Sequence, residues 1–269
     1  MRSTPAEPEP DPELTRALAG AMPGGRLAGP LRAYRSVDST QTVARRWGER
    51  GAPEGAVVLA AHQSAGRGRR GRTWTAPPGA GLLVSIVLRP PLPVPRWPEV
   101  GIAAGCAVAE AVEATTGLPV QLKWPNDVLA GACKLAGILA EGCAGADGLV
   151  ILGIGVNVSQ AARDWPPELA GRAVSLAMLG CPVGLADLLG AVLAALERWY
   201  GTLLRGGFAP VRDAWRTRAV LGQVVATARG PGTAVDLAAD GGLVIRYPDG
   251  ATAVVTTGTP LEPAGSPVA

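Results

Sequence analysis

The stretch QSAGRGRRGRTWTAPPGAG (63–81) constrains the fold more than any other, because prolines come directly after its glycines. Gly66-x-Gly68-x-x-Gly71 matches by letter a dinucleotide-binding βαβ fingerprint, in which a helix begins inside the glycines and points its N-terminus at a pyrophosphate. Pro77, Pro78 and Gly79 fall where that helix would run, and proline both lacks the N–H and clashes with the preceding turn. The acidic residue expected about twenty positions on is also missing, since that region reads VLRPPLP. A doubly wound nucleotide fold is therefore excluded, and the loop has to be explained by its charges.

The rest of the chain reads as α+β. Strands are expected at 31–37, 55–63, 81–90, 120–124, 134–141 and 147–158. Helices are expected from an Asp38/Ser39 N-cap to about residue 50, over 97–116, over 185–204 with apolar residues at i, i+3, i+4 and i+7, and over 209–219. Between positions 30 and 160 strands outnumber helices without strict alternation, so a mixed sheet with flanking helices fits best. From Gly222 the texture changes to four short strands, GQVVATA, GTAVDLA, GLVIRY and ATAVVTT, separated by turn residues. That pattern predicts a small antiparallel barrel. The expected organisation is a tail with a short helix over 1–28, a main domain over 29–220 and the small β-domain over 221–269.

The loop packs four arginines and three glycines into seven positions. A solvated basic turn is the plain explanation. Against it, glycines let a backbone wrap closely around a ligand, and alternate guanidinium forks match phosphate and carboxylate oxygens. A nucleic-acid arm would need interleaved aromatics and a wider basic surface, whereas only Trp74 stands nearby and the net charge is +3. A small phosphate-bearing ligand fits best.

A second cluster, KWPNDVLAGACKLAGIL (123–139), sets Lys123 and Lys134 in apolar strands around an Asn126-Asp127 pair. A buried lysine wants an anionic partner, from the protein or from a ligand. Pro125 should interrupt the strand, and an Asn-Asp bend would aim Asp127 out of the sheet. GIGVNV (153–158) adds glycines against which a ligand can lie, with Asn157 as a polar handle.

The four cysteines form no CxxC pair and predict ordinary buried thiols. The acidic, proline-rich start lacks a signal pattern, and no apolar run approaches the ~20 residues of a membrane span. The expected location is the cytoplasm.

Together DST (38–40), HQSAGRGRRGRTW (62–74), KWPNDV (123–128), KLAGILAE (134–141) and GIGVNV (153–158) resemble the biotin protein ligase (holocarboxylase synthetase-like) family in order and spacing. The resemblance implies a class II aminoacyl-tRNA synthetase/biotin ligase-like mixed sheet with a C-terminal SH3-like barrel. It implies that biotin and ATP, with Mg²⁺, form biotinyl-5′-AMP, and that the acyl group passes to a lysine on the biotin carboxyl carrier domain of an acetyl-/acyl-CoA or pyruvate carboxylase. Carried over residue by residue, it places Ser39, Thr40, Gln41, Gln63, Gly66, Arg67, Gly68, Arg69 and Lys134 around biotin. It places Arg69, Arg72, Trp74, Lys123, Asn126 and Asn157 around ATP or the adenylate. The reacting group would be served by Arg67, Arg69, Lys123, Lys134 and Asp127, with Asp127 holding Mg²⁺ or deprotonating the acceptor lysine. Gln41 stands where the family usually has Asn, and the usual acidic Gly-Asp/Glu ending is replaced by TTGTP. With about thirty residues before the main domain, no DNA-binding domain is expected; a monomer or weak homodimer is. A lipoate or octanoyl transferase, which shares the fold, is the competing enzyme reading.

Overall fold

The computed structural model describes residues 8–143, 148–256 and 262–263. The expected tail before residue 8, the strand start at 147 and residues 257–260 of the TTGTP ending lie outside them.

In chain order the elements are α1 (Pro12–Leu18), β1 (Leu31–Tyr34), α2 (Thr40–Glu49), β2 (Val57–Ala60), β3 (Gly81–Leu88), α3 (Pro98–Thr116), β4 (Gln121–Lys123), β5 (Asp127–Ala130), β6 (Cys133–Gly142), β7 (Val150–Asn157), α4 (Leu185–Gly206), α5 (Phe208–Arg216), β8 (Val224–Thr227), β9 (Gly230–Leu237), β10 (Leu243–Arg246), β11 (Thr252–Val255) and β12 (Glu262–Pro263). The first seven strands form one mixed sheet in the order β1-β2-β3-β7-β6-β5-β4, in which β1 and β2 run parallel and the other neighbours antiparallel. The last five form a second sheet, β11-β10-β9-β8-β12, with every pairing antiparallel.

Two differences from the sequence reading have plain causes. Residues 8–12 are not tail: Asp11 caps α1 by accepting from the Glu13 and Leu14 amides, and its own N–H donates to Ala33 O at 2.7 Å. The expected bend at Asn126-Asp127 is instead a turn at 124–126, containing a cis Trp124–Pro125 peptide, after which Asp127 opens β5. The missed β5 has only four residues, and the polar pair before it reads as loop.

Side-chain alternation makes the two faces of the large sheet unlike each other. Leu82, Val84 and Ile86 of β3, with Leu152 and Ile154 of β7, join one core with α3 and α4. Small residues such as Ala103, Ala104 and Ala107 line α3, so the helix is buried nearly all round and lies close to its neighbours. On the opposite face α2 packs Val43 and Ala44 over Val87 and Ile151. That helix covers only one end of the face. No helix among the described residues is long and apolar enough to cross a membrane.

The two sheets are joined at the 124–126 turn, where the Trp124 indole N–H donates to Gly241 O at 3.0 Å inside the core. Trp124→Phe leaves that carbonyl without its partner and opens a small void. It should cost about 1–3 kcal/mol and lower the thermal midpoint by roughly 2–4 °C per kcal/mol, as calorimetry would register.

Candidate functional site

Beyond the end covered by α2, the open face of the sheet carries glycine at three of six positions in two neighbouring rows. Antiparallel pairing sets Leu139, Gly153 and Ser85 side by side, and Gly137, Gly155 and Leu83 in the next row. Trp74 lies on the glycine row. A Cβ on Gly155 would stand 2.5 Å from Trp74 Cε2, and one on Gly137 would stand 2.9 Å from Cζ3. Gln41 occupies the row between Trp74 and α2, with its Oε1 2.9 Å from where a Gly153 Cβ would be. Glycine is required at these positions by close approach from above, since no left-handed backbone angle is involved.

The arginine loop closes on itself like a short hairpin. Gly68 N donates to Arg72 O at 2.7 Å and Trp74 N to Gly66 O at 3.0 Å, on either side of an Arg67–Thr73 bridge. A 3₁₀ turn at Arg69–Gly71 forms the tip, where Arg70 takes φ 56° and Gly71 φ 73°. Gly66 allows the hairpin to close, because a Cβ there would stand 2.2 Å from Trp74 O. The loop roofs a cleft of about 530 Å³ whose floor is Leu139 and Glu141.

Two of the arginines reach inward. Arg67 donates to Glu141 Oε1 at 2.9 Å, and Arg69 donates to Asn126 Oδ1 at 3.2 Å. Burial, reinforced by neighbouring Arg70, pulls the Arg69 pKa below its ordinary value, with Asp127 acting in the other direction. Arg69 is thus a cation held partly out of water, where attraction to an incoming anion is stronger. Arg72 is exposed.

The DST segment forms the inner end of the site. Ser39 takes the N-cap position of α2, but its hydroxyl caps nothing; Asp38 Oδ1 accepts from the Ser39 amide at 2.6 Å instead. Ser39 Oγ is buried without a partner, as are Gln41 Oε1 and Trp74 Nε1. Beside them Gln63 Oε1 accepts from Thr40 N at 2.7 Å and Thr40 Oγ1 at 3.0 Å, and Ser85 Oγ donates to Thr40 Oγ1 at 2.8 Å. Unpaired buried polar atoms are uncommon, and each of these three leaves hydrogen-bonding capacity for a polar guest.

The expectation that Lys134 needs an anion is met within the chain. Its Nζ lies 2.6 Å from Asp127 Oδ1, an ion pair whose angles fall outside hydrogen-bond geometry, and 5.5 Å from the centre of the Trp74 ring. Lys123 stands opposite Asp127 across the β4–β5 hairpin, half-buried and in no ion pair among the described residues. Asn126 fixes the turn by donating to Ile138 O at 3.1 Å. Asn157 donates to Lys134 O and Val174 O and accepts from Gln160, so its amide is engaged at both ends by the protein.

Sequence reasoning missed Glu141, which gathers Arg67, Gln41 and, at 3.9 Å, Arg45. The one signal available was a carboxylate ending KLAGILAE in phase with Gly137 and Leu139 on the open face. Among the described residues no group of three or more His, Cys, Asp or Glu could hold a metal.

Residues 33–157 match the model of the Biotin/lipoate A/B protein ligase family. The chain is 36% identical over 206 residues to the biotin--[acetyl-CoA-carboxylase] ligase of Paracoccus denitrificans, covering 72% of this chain and 85% of that protein. It is 37% identical over 187 residues to the bifunctional ligase/repressor BirA of Bacillus subtilis, covering 68% of this chain and 58% of that one. The chain thus spans less than two thirds of the length of the first curated relatives it matches. The biotin protein ligase of Aquifex aeolicus, solved with biotin and ATP, superposes with a TM-score of 0.75 at 30% identity, over 87% of this chain and 99% of that one.

The seat of Trp74 on Gly155 can be tested by stability alone. Gly155→Ala should destabilise by about 1–3 kcal/mol, because the new methyl displaces the indole. In a Trp74→Ala background most of that penalty should vanish, with coupling of at least about 0.5 kcal/mol in denaturant unfolding.

Proposed function

The chain belongs to the Biotin/lipoate A/B protein ligase family, and from that premise we propose that it is an ATP-dependent biotin ligase. It would join biotin to ATP as biotinyl-5′-AMP and pass the acyl group to a lysine of a biotin carboxyl carrier domain.

The observation that carries this reading is the set of unpaired buried atoms, Ser39 Oγ, Gln41 Oε1 and Trp74 Nε1, around the Thr40–Gln63–Ser85 network. A ureido ring brings one carbonyl acceptor and two N–H donors and can meet such groups. A dithiolane ring brings none and would leave them unpaired, at about 1–3 kcal/mol each. That difference favours biotin over lipoate by roughly fivefold to 150-fold per atom.

The chemistry needs an oxygen of one anion to attack the phosphorus of another. Biotin's carboxylate attacks the α-phosphorus and pyrophosphate leaves; the acceptor amine then attacks the mixed anhydride and AMP leaves. Arg67, Arg69 and Lys134 are the cations arranged along the cleft to draw the two anions together and spread the developing charge. Arg72 and Lys123 would add field from nearer the solvent. Trp74 closes the bed beneath the adenylate, and the loop roof keeps water from the anhydride. Among the described residues Asp127 is the one carboxylate paired with Lys134, a donor set that suits Mg²⁺ carried on phosphate oxygens better than a metal caged by protein. When bound there, Mg²⁺ would neutralise phosphate charge. Asp127 also holds Lys134 and in this reading would receive a proton from the acceptor amine.

The names of the relatives support a carboxylase carrier domain as acceptor. A nucleic-acid reading is weaker, because Arg67 and Arg69 reach inward to protein partners.

Purified protein with labelled biotin, ATP, Mg²⁺ and a carrier domain should label the carrier. Transfer from lipoate and none from biotin would overturn the proposal. In Arg69→Ala the adenylate should escape at least about tenfold faster, while biotin affinity changes less; equal loss of both would remove Arg69 from its assigned role.

A further inference from the structure

Among the described residues that line the cleft, one carboxylate stands against four arginines. Glu141 lies on its floor, facing a roof that carries Arg67, Arg69, Arg70 and Arg72. An anion there works against binding an anionic ligand, so it needs a reason. Its partners supply one. Oε1 accepts from Arg67 at 2.9 Å, while Oε2 accepts from Gln41 Nε2 at 3.0 Å and has Arg45 at 3.9 Å. The two oxygens therefore tie the base of the arginine loop and the first turn of α2 to the same point on β6.

We propose that Glu141 is a positioning residue that holds Arg67 down on the sheet and sets the orientation of the Gln41 amide. This rests on the biotin-ligase reading for its consequence in catalysis, but its structural half stands alone. A carboxylate can only accept, so it requires the NH₂ of Gln41 to face it. The carbonyls of Leu139 and Ile151, each 3.4 Å from Nε2, make the same demand. Gln41 Oε1 is thereby left over Gly153 as a buried acceptor without a partner. A shorter Asn at this position would fall one methylene short of that span. The longer side chain and the carboxylate thus act as a pair, and Gln41 meets Glu141 because Gly153 leaves the path between them clear.

Arg67 also stands at the foot of the loop, on the lining of the cleft. Before the ligand arrives, Glu141 keeps that guanidinium in the cleft. When it binds, Arg67 has one fork edge for Glu141 and others for the ligand, since five N–H donors are available. The tether would therefore order the loop base without being broken.

The first test needs no ligand. In Glu141→Gln the charge is lost at nearly constant volume, and amide hydrogen exchange in a peptide spanning 63–75 should speed up by about fivefold, as expected for losing a partly exposed ion pair. Exchange in β7 should not change. Unchanged exchange in 63–75, or equal acceleration in β7, would overturn the proposal. The second test is kinetic. Glu141→Gln should raise the KM for biotin by about fivefold with the KM for ATP unmoved, and in an Arg67→Ala background should add less, leaving only the part that acts through Gln41. Independent, additive effects of the two substitutions would also overturn it. Glu141→Asp, which restores the charge, should recover part of the loss. Failure of the wild-type protein to form any biotinyl-adenylate would count against the biotin-ligase function, whereas the exchange measurement would still judge the tether.

Discussion

The site depends on missing side chains. Gly137, Gly153 and Gly155 clear part of two rows on the open face of the sheet, so an indole and an amide can lie against the backbone. The other features of the site depend on that clearance. Trp74 lies flat and brings the end of the arginine loop with it; Gln41 crosses to β6; and the loop, closed at Gly66, roofs the cleft. On the other face the same three strands carry Leu, Ile and Val and bury them under α3 and α4. One set of strands thus provides a rigid floor and a space above it, a combination suited to holding reacting groups in fixed geometry.

Electrostatics then gives the space its sign. Three of the cations have partners in the protein. Lys134 rests on Asp127, Arg67 on Glu141 and Arg69 on Asn126. Each partner lowers the cost of keeping a cation in a partly desolvated cleft. A reactive adenylate benefits from such an arrangement, because its charge is met by groups already in place while the loop limits access of water.

Much of this was legible in the sequence, for identifiable reasons. Pro77 and Pro78 after the glycines ruled out a nucleotide helix, and the loop indeed contains only a 3₁₀ turn. Periodicity placed α3, α4, β3 and β7 within a few residues, since long apolar patterns survive any local turn. The four strands after Gly222 appear as expected, whereas β12 was not foreseen because two residues carry no pattern. Asp127 was noticed for its chemistry but misplaced, as a turn before a four-residue strand looks the same as a bend within a loop. Asn157 looked like a free handle, yet its amide is consumed by the 173–176 segment and Gln160, contacts that no local motif announces. Glu141 was missed for the converse reason: its importance comes from Gln41 and Arg67, 100 and 74 positions away.

Native mass spectrometry of the protein incubated with Mg²⁺, ATP and equal amounts of biotin and lipoate tests the central claim most directly. A protein whose buried, unpaired polar atoms select a ureido ring should retain biotinyl-5′-AMP in preference to the lipoyl adenylate. Retention of the lipoyl adenylate, or of neither, would contradict it.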